Sequence, residues 1–255
     1  MSYDGSGFCG WQIQPQEPSV QEALEKALGT LLRAPVQVTG AGRTDTGVSA
    51  SAFVAHFDYD GDLDCAQLKF KLNAILPRTV SIINVTPAAP DFHSRFDARK
   101  RRYTYFLHRV KDPFVDRFSY FYGYPDVDFD AMNRAAQSLL GTHDFSCFEK
   151  SGGDNKTSVC TVFSARWEPY EPVIRSVSDG EPVYWRFTVE ADRFLRNMVR
   201  AIVGTLLEVG RGRRSEAGFA SLVLPPEGAR KDESRRSEAG ESVPGHALFL
   251  SGIEY

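Results

Sequence analysis

One aspartate in this chain is a candidate catalytic residue because of the loop that carries it. Asp45 lies within AGRTDTGVSA at residues 41–50, with Arg43 two positions before it and glycines at 40, 42 and 47 around it. A carboxylate on a glycine-rich connection between two strands is well placed to meet a ligand. An ordinary Asx-turn has the same pattern, and turn aspartates are common. On the local sequence alone, the structural interpretation of Asp45 is favoured over the catalytic one.

The segments on either side of this loop predict the strands that would hold it. Residues 35–39 and 51–57 are short, apolar and β-branched or aromatic, and turn residues bound them, as is typical of buried strands. Ser19 to Glu22 (SVQE) forms a capping box before an amphipathic helix that runs to about Arg33. Residues 64–76 predict a second helix. These elements favour an antiparallel or mixed sheet with helices on one face.

The second half of the chain predicts longer strands and one strongly apolar helix. Residues 100–109 alternate and favour a strand with a basic, solvated edge, and residues 159–167 and 183–191 favour two long paired strands. Residues 128–140 and 195–209 predict helices, the second of which ends at a glycine. Because the two halves have a similar layout, the sequence predicts an α+β fold with two pseudo-duplicated lobes.

Composition agrees with a globular protein in a reducing compartment. Hydrophobic residues make up 42% and charged residues 25% of the 255 residues, as in soluble globular proteins. No apolar run approaches the length of a membrane span, and the basic-then-apolar pattern of a signal peptide is absent. The four cysteines lack paired metal-binding spacing and are too sparse for a disulfide framework. We therefore expect a cytoplasmic protein without a membrane partner.

The distribution of charge favours an RNA partner more than the total charge does. The formal net charge is −3, yet residues 93–117 and 193–214 each carry +5. If the fold brings these segments together, they form a positive groove that suits RNA. The alternative is two solvated faces whose cations pair with neighbouring acids. The charges alone do not favour either interpretation.

Short motifs along almost the whole chain resemble the TruA family of tRNA pseudouridine synthases. The glycine-arginine-threonine-aspartate at residues 42–45 resembles the active-site motif of that family. The other matching blocks are YDGSGF with GWQ (3–12), SVQE (19–22), PDFHSRF (90–96), RYTY (102–105), GTHDF (141–145), FLRNMVR (194–200) and GHALFLSGIEY (245–255). Two positions depart from the family pattern, because Thr46 and Ser49 stand where alanine and histidine are common.

The resemblance implies an isomerase that converts uridine to pseudouridine in the anticodon stem-loop of tRNA, at positions 38, 39 and 40. It also implies a homodimer in which one tRNA spans both subunits. The lobes would be residues 1–90, with the aspartate motif, and residues 91–255, with the basic segments, and a cleft would lie between them. No metal or organic cofactor is expected, since the reaction is redox-neutral and transfers no external group. The alternative is a non-catalytic RNA-binding or tRNA-chaperone protein on the same fold.

The resemblance also implies roles for particular residues. Asp45 would be the catalytic nucleophile or base, and Tyr103 would stack on the flipped uracil. Arg200 would be the basic partner of the aspartate, although an arginine on an apolar helix can also extend to the surface. Arg43 is a second candidate for that role. The candidates for contacts with the RNA backbone are Arg99, Lys100, Arg101 and Arg102.

Overall fold

The computed structural model describes residues 1–150, 152, 156–176, 180, 182–223 and 235–255. The chain forms two compact units: Met1–Arg99 together with Phe249–Tyr255 makes the first, and Lys100–Leu248 makes the second. Relative to the expected division after residue 90, the first unit extends to Arg99 and also contains the C-terminal strand. Each unit combines helices with mostly antiparallel strands, which confirms the predicted α+β class.

The bounds of the elements within these described ranges are as follows. The strands are β1 (Ser2–Tyr3), β2 (Thr39–Gly40), β3 (Ser49–Ala50), β4 (Ala55–His56), β5 (Val80–Ser81), β6 (Lys100–His108), β7 (Tyr120–Phe121), β8 (Gly141–Asp144), β9 (Val159–Pro169), β10 (Tyr184–Ala191) and β11 (Leu248–Glu254). The helices are α1 (Val20–Leu32), α2 (Cys65–Ile75), α3 (Phe129–Ala136), α4 (Met198–Gly210) and α5 (Glu216–Ala220).

Apart from the C-terminal strand β11, the strands of the first unit are only two residues long. β1 lies between β3 and β5 and is antiparallel to both, and β3 also pairs in parallel with β11. β2 and β4 form a separate antiparallel pair. α1 begins where the capping box predicts it, because Ser19 Oγ accepts a hydrogen bond from the Glu22 amide at 3.2 Å. The α1 residues Val20, Leu24 and Leu28 are buried, as their spacing predicts.

The strands predicted on either side of the Asp45 loop are too long. Only the last residue of 35–39 and two residues of 51–57 belong to strands. Side chains of α1 take the place of a strand partner: Gln21 Nε2 donates to the Val38 carbonyl at 3.0 Å, and the Val38 amide donates to Glu25 Oε1 at 2.9 Å. Because these backbone groups are already satisfied, the approach to the loop does not need a ladder.

The second unit contains the long strands that the sequence predicts. Its sheet has the order β7-β6-β10-β9-β8, and all pairs are antiparallel except β6 with β7. The apolar helix α4 ends at Gly210 as predicted, but it begins only at Met198. Asn197 precedes it with a φ of 65°, a left-handed conformation that does not continue a helix backwards. Among the described residues, no helix is long and apolar enough to cross a membrane.

Candidate active site

Asp45 begins a tight turn in the loop between β2 and β3. The Val48 amide donates to the Asp45 carbonyl at 3.1 Å, which closes the turn. Gly47, at the third position, has a φ of 76°, a left-handed value that glycine adopts without steric cost. The side chain of Asp45 is half-buried. The local sequence therefore fixes the backbone of the residue that carries the carboxylate.

The N-terminal block, residues 3–11, holds this loop through main-chain contacts. The Trp11 amide donates to the Thr44 carbonyl at 3.2 Å, directly before the aspartate. The Gly47 amide, two residues after the aspartate, donates to the Phe8 carbonyl at 3.3 Å. From the sequence, this block could fold back near the active cleft, although Trp11 was equally suited to the core. The structure places it against the loop, so the carboxylate-bearing residue is fixed from both sides.

Three buried side chains add hydrogen bonds to the same contact. The Tyr3 hydroxyl and Thr44 Oγ1 are 2.9 Å apart, and the Gly5 amide donates to Ser49 Oγ at 3.0 Å. Ser49 is only 1% exposed. This departure from the family pattern therefore falls on a side chain that supports the loop, whereas Thr46, the other departure, is exposed.

Two glycines make the close approach of the N-terminal block possible. A Cβ atom on Gly10 would lie 2.3 Å from the Thr44 carbonyl oxygen, and the φ of Gly10 is 94°. A Cβ atom on Gly5 would lie 2.1 Å from the Val48 carbonyl oxygen. Real side chains do not tolerate either separation, and the φ of Gly10 disfavours any other residue. The block reaches the loop only because these two positions lack side chains.

Arg43 and Asp45 lie on the more exposed side of the loop. The side chain of Arg43 is exposed and that of Asp45 is half-buried, while Thr44 between them is 7% exposed. This alternation is typical of an extended segment, in which every second side chain faces the same way. It is the arrangement that a role for Arg43 beside the carboxylate requires.

Tyr103 lies on β6 in the second unit and is 9% exposed. Its ring meets Phe194 edge-on, with centroids 5.0 Å apart and planes at 84°. This geometry is a favourable one for aromatic pairs, so Phe194 fixes the orientation of the Tyr103 ring. Tyr105, two residues along the strand, is 0% exposed, and burial raises the pKa of its hydroxyl well above the ordinary value. Tyr105 is therefore a core residue.

Arg200 lies near the start of α4, whose other residues are almost all buried. Its guanidinium Nε donates to the Val243 carbonyl at 2.7 Å. A cation on an apolar helix needs polar partners, and this backbone carbonyl is one of them. The side chain is thus held by the protein and not simply extended into water. Asp45 belongs to the first unit and Arg200 to the second. The role of Arg200 as the partner of Asp45 stays a prediction.

The cations proposed for RNA contacts make intrachain contacts in the structure. The Lys100 ammonium lies 5.7 Å from the centre of the Phe163 ring, and Arg101 Nη1 donates to the Asp192 carbonyl at 2.7 Å. Arg102 Nε donates to Glu190 Oε1 at 2.6 Å. Arg99 lies in the first unit and is exposed. The interpretation that some of these charges pair with neighbouring acids therefore holds for Arg102.

The Arg102–Glu190 pair also perturbs the carboxyl group. Burial alone would raise the pKa of Glu190, but hydrogen bonds from Arg102 and Ser164, together with the guanidinium charge, lower it below the ordinary value. Glu190 therefore stays ionised and holds Arg102, its cross-strand neighbour on β6, over the neutral pH range.

Cys9, Cys147 and Cys160 are poorly suited to nucleophilic chemistry. All four cysteines of the chain are free thiols. A hydrogen bond to Glu17 raises the pKa of Cys9, burial raises that of Cys147, and burial raises that of Cys160 to about 12. A thiol must ionise to attack, so these groups are weak nucleophiles. Within the described part of the chain, no group of three His, Cys, Asp or Glu residues is placed to hold a metal ion.

Sequence similarity to known proteins extends over the whole chain. A family model described as tRNA pseudouridine synthase matches residues 1–97 and 135–255. A protein of Bacteroides thetaiotaomicron named tRNA pseudouridine synthase A is 47% identical over 255 residues, which cover 100% of this chain and 88% of that protein. Proteins of the same name from Bacteroides fragilis and Chlorobaculum tepidum are 46% and 38% identical, and the matches cover 100% of this chain and 94% and 96% of those proteins.

Proposed function

Because the chain belongs to the tRNA pseudouridine synthase family and is an isomerase of tRNA uridine, we propose that its targets are uridines 38, 39 and 40 of the anticodon stem-loop. We propose further that Asp45 is the catalytic carboxylate. The sequence motif at residues 42–45 and the position of Asp45 on a rigidly held loop support this assignment.

The reaction breaks the bond between uracil N1 and ribose C1′, turns the freed base and joins C5 to the same C1′. C5 loses a proton and N1 gains one, so atoms and electrons balance without an oxidant or a reductant. An ionised carboxylate can attack C1′ or uracil C6 as a nucleophile, or act as a base at C2′. These routes are alternatives for the same residue, Asp45.

The observation that carries the proposal is the double attachment of the Asp45 loop. Hydrogen bonds from and to the N-terminal block lie one residue before Asp45, at Thr44, and two residues after it, at Gly47. Catalysis by a carboxylate requires its oxygen to be held within a fraction of an ångström of the reacting carbon. A turn aspartate with only a structural role needs no second layer of support of this kind.

Tyr103, Arg43 and Arg200 complete the proposed substrate-binding set. Tyr103 would stack on the uracil while the glycosidic bond is open, with its ring held edge-on by Phe194. Arg200 and Arg43 would stabilise the negative charge of the aspartate by Coulomb attraction. Lys100, Arg101 and Arg102, together with Arg99, would contact phosphates, and RNA binding would exchange their intrachain contacts for phosphate contacts.

We also propose a homodimer that binds one tRNA across both subunits in the cytoplasm. Sedimentation equilibrium of the protein alone and with tRNA tests this assembly directly. The expected result is a dimer that binds one tRNA per two chains. A monomer that binds one tRNA per chain would contradict it.

The central experiment measures tritium release from tRNA that carries [5-³H]uridine. The wild type should release tritium, and Asp45→Asn should release at least about 1,000-fold less, because an amide is not a nucleophile or a base. Binding of tRNA should stay within about threefold of wild type. Asp60→Asn, at an exposed aspartate of the same unit, is the matched control and should have wild-type activity.

Each outcome decides a separate part of the proposal. Full activity in Asp45→Asn would remove Asp45 from the chemistry. Tight tRNA binding without tritium release by the wild type would favour the non-catalytic RNA-binding alternative. Tritium release from uridines outside positions 38, 39 and 40 would keep the isomerase and overturn the proposed target.

A further inference from the structure

A short stretch of chain far along the sequence lies directly on the helix that carries Arg200. We call residues 239–244 the returning segment. The Gly240 amide donates to Thr205 Oγ1 at 2.9 Å in a buried contact, and the Val243 amide donates to the Arg200 carbonyl at 3.2 Å. The segment therefore follows the N-terminal half of α4 and meets the arginine at its own backbone.

Gly204 is the position where the segment crosses the helix. A Cβ atom on Gly204 would lie 1.8 Å from the Glu241 carbonyl oxygen and 3.0 Å from its carbonyl carbon. The clash is with backbone atoms, which cannot rotate away as the end of a side chain can. Glycine lowers the stability of a helix interior by about 1 kcal/mol relative to alanine. At position 204 it offsets this loss by allowing the returning segment to pack directly against the helix.

Arg200 and Val243 hold each other through two hydrogen bonds. The Val243 amide binds the Arg200 carbonyl, and Arg200 Nε binds the Val243 carbonyl at 2.7 Å. The guanidinium is planar, so a bond at Nε fixes the plane in which the two Nη atoms lie. The side-chain direction of Arg200 is thus set by a residue that is 43 positions away in sequence.

Both ends of the contact are anchored. Ser242 Oγ accepts from Asn197 Nδ2 at 2.6 Å, which ties the segment to the left-handed residue that starts α4. The Pro244 carbonyl accepts from the Tyr105 hydroxyl at 3.1 Å, which ties it to β6, the strand of Tyr103. The returning segment is therefore a brace between the helix of Arg200 and the strand of Tyr103.

We propose that the returning segment positions the Arg200 guanidinium for the reaction, and that Gly204 is a positioning residue because it lets the segment reach the arginine. This inference rests on the proposed function, in which Arg200 stabilises the aspartate. A long side chain that is already oriented pays less conformational entropy when charge develops nearby. A displaced Val243 carbonyl would leave the guanidinium misdirected while the tRNA-binding surface stays intact.

The first test compares Gly204→Ala with Gly210→Ala, the same substitution later in the same helix. A Cβ atom on Gly210 would crowd Met132 Sδ at 2.5 Å, the flexible part of a side chain and not the returning segment. We expect Gly204→Ala to lower the single-turnover rate constant for tritium release by about 10- to 100-fold. The Kd for tRNA should stay within about threefold of the wild-type value. Gly210→Ala should keep kcat within about threefold of wild type per folded molecule.

A double-mutant cycle separates positioning from general damage. In an Arg200→Ala background, Gly204→Ala should reduce kcat by less than about twofold, because the group that it misdirects is already gone. A multiplicative loss, equal to that in the wild-type background, would overturn the inference. If Gly204→Ala does not fold, Ser242→Ala takes its place in the same cycle, since it removes the Oγ that accepts hydrogen bonds from Asn197 and Arg236 without adding an atom.

These measurements distinguish a failure of the proposed function from a failure of the positioning role. A wild type without tritium release would overturn the proposed function itself. An Arg200→Ala variant as active as wild type would overturn the assigned role of Arg200. An active wild type, an impaired Arg200→Ala and a multiplicative Gly204→Ala effect would overturn only the positioning by the returning segment.

Discussion

The Asp45 loop and the surroundings of Arg200 are fixed by opposite means. The loop is a few residues between two-residue strands, and main-chain groups of the N-terminal block hold it. Arg200 projects from a 13-residue helix, and the end of its long side chain donates to the Val243 backbone carbonyl. The position of the Asp45 carboxylate is thus set by contacts to the backbone around it. The position of the Arg200 guanidinium is set by a contact to the end of its side chain.

This difference predicts how each region responds to mutation. Where the N-terminal block meets the loop, a Cβ atom added at Gly5 or Gly10 would clash with a carbonyl oxygen of the loop, so substitutions should act nearly all-or-none. In the second unit, the long strands and a buried helix distribute the stabilising contacts over many residues. Loss of one hydrogen bond there should reduce stability or rate by a graded amount.

Among the changes that test this difference between the two regions, the largest effect is expected for Gly10→Ala, which breaks the main-chain attachment of the Asp45 loop. The substitution combines a φ of 94° with a Cβ atom 2.3 Å from the Thr44 carbonyl oxygen. We expect kcat/KM in the tritium assay to fall at least about 100-fold and the free energy of unfolding to fall by about 2–4 kcal/mol. Gly7→Ala is the control, because its Cβ atom would meet nothing within 4 Å. Near-normal activity of Gly10→Ala would show that the attachment is dispensable.

The next effect concerns stability in the second unit, at the buried carboxylate of Asp112. It is 1% exposed and accepts hydrogen bonds from the Tyr184 hydroxyl at 2.6 Å, the Ser176 amide at 2.8 Å and the Phe114 amide at 2.9 Å. Asp112→Ala should lower the free energy of unfolding in urea by about 3 kcal/mol, since several buried donors lose their acceptor. Activity per folded molecule should not change, and Asp126→Ala, at an exposed position, should be neutral.

The same residue predicts a pH dependence. Burial would raise the pKa of Asp112, but hydrogen bonds from Tyr184, Ser176 and Phe114 lower it from 3.8 to about 2. A folded-state pKa below the unfolded value stabilises the protein above about pH 4, and this contribution disappears as the pH falls toward 2. The difference in unfolding free energy between wild type and Asp112→Ala should therefore shrink over this range. A constant difference would mean that the hydrogen bonds do not depend on the charge.

A smaller effect is expected for Tyr103→Phe. If Tyr103 acts by stacking, the ring without its hydroxyl should still hold the uracil, and kcat should fall by no more than about fivefold. Single-turnover tritium release measures this directly, with Tyr122→Phe, at another buried tyrosine of the second unit, as the control. A loss of 100-fold or more would assign the hydroxyl to proton transfer.

The smallest effect is expected for the Arg102–Glu190 pair, which joins β6 to β10 in the second unit. Exposed ion pairs contribute about 0–1 kcal/mol, so neither Arg102→Gln nor Glu190→Gln should change stability much. If Arg102 contacts a phosphate, Arg102→Gln should reduce the slope of log K for tRNA against log salt by about 1. Glu190→Gln should leave that slope unchanged. Equal slopes for Arg102→Gln and wild type would limit Arg102 to its intrachain role.

The local features of the site could be read from the sequence. The capping box at Ser19 begins α1, Gly47 allows the turn that Asp45 starts, and the apolar spacing of α4 predicts a buried helix that carries Arg200. Each depends on residues within a few positions of one another. The strand lengths beside the loop were wrong because α1 side chains satisfy the Val38 backbone, and propensity does not register such contacts.

The sequence by itself determined the α+β class, the turn at Asp45 and the helix of Arg200, because turn chemistry and periodicity act over short stretches of chain. Only the tertiary structure decided that Gly10 meets Thr44, and that Gly204 meets Glu241. A glycine in a sequence indicates that another segment can pack closely against it, but it does not indicate which segment. That choice is made by packing between distant segments, whose contacts depend on the whole chain being folded.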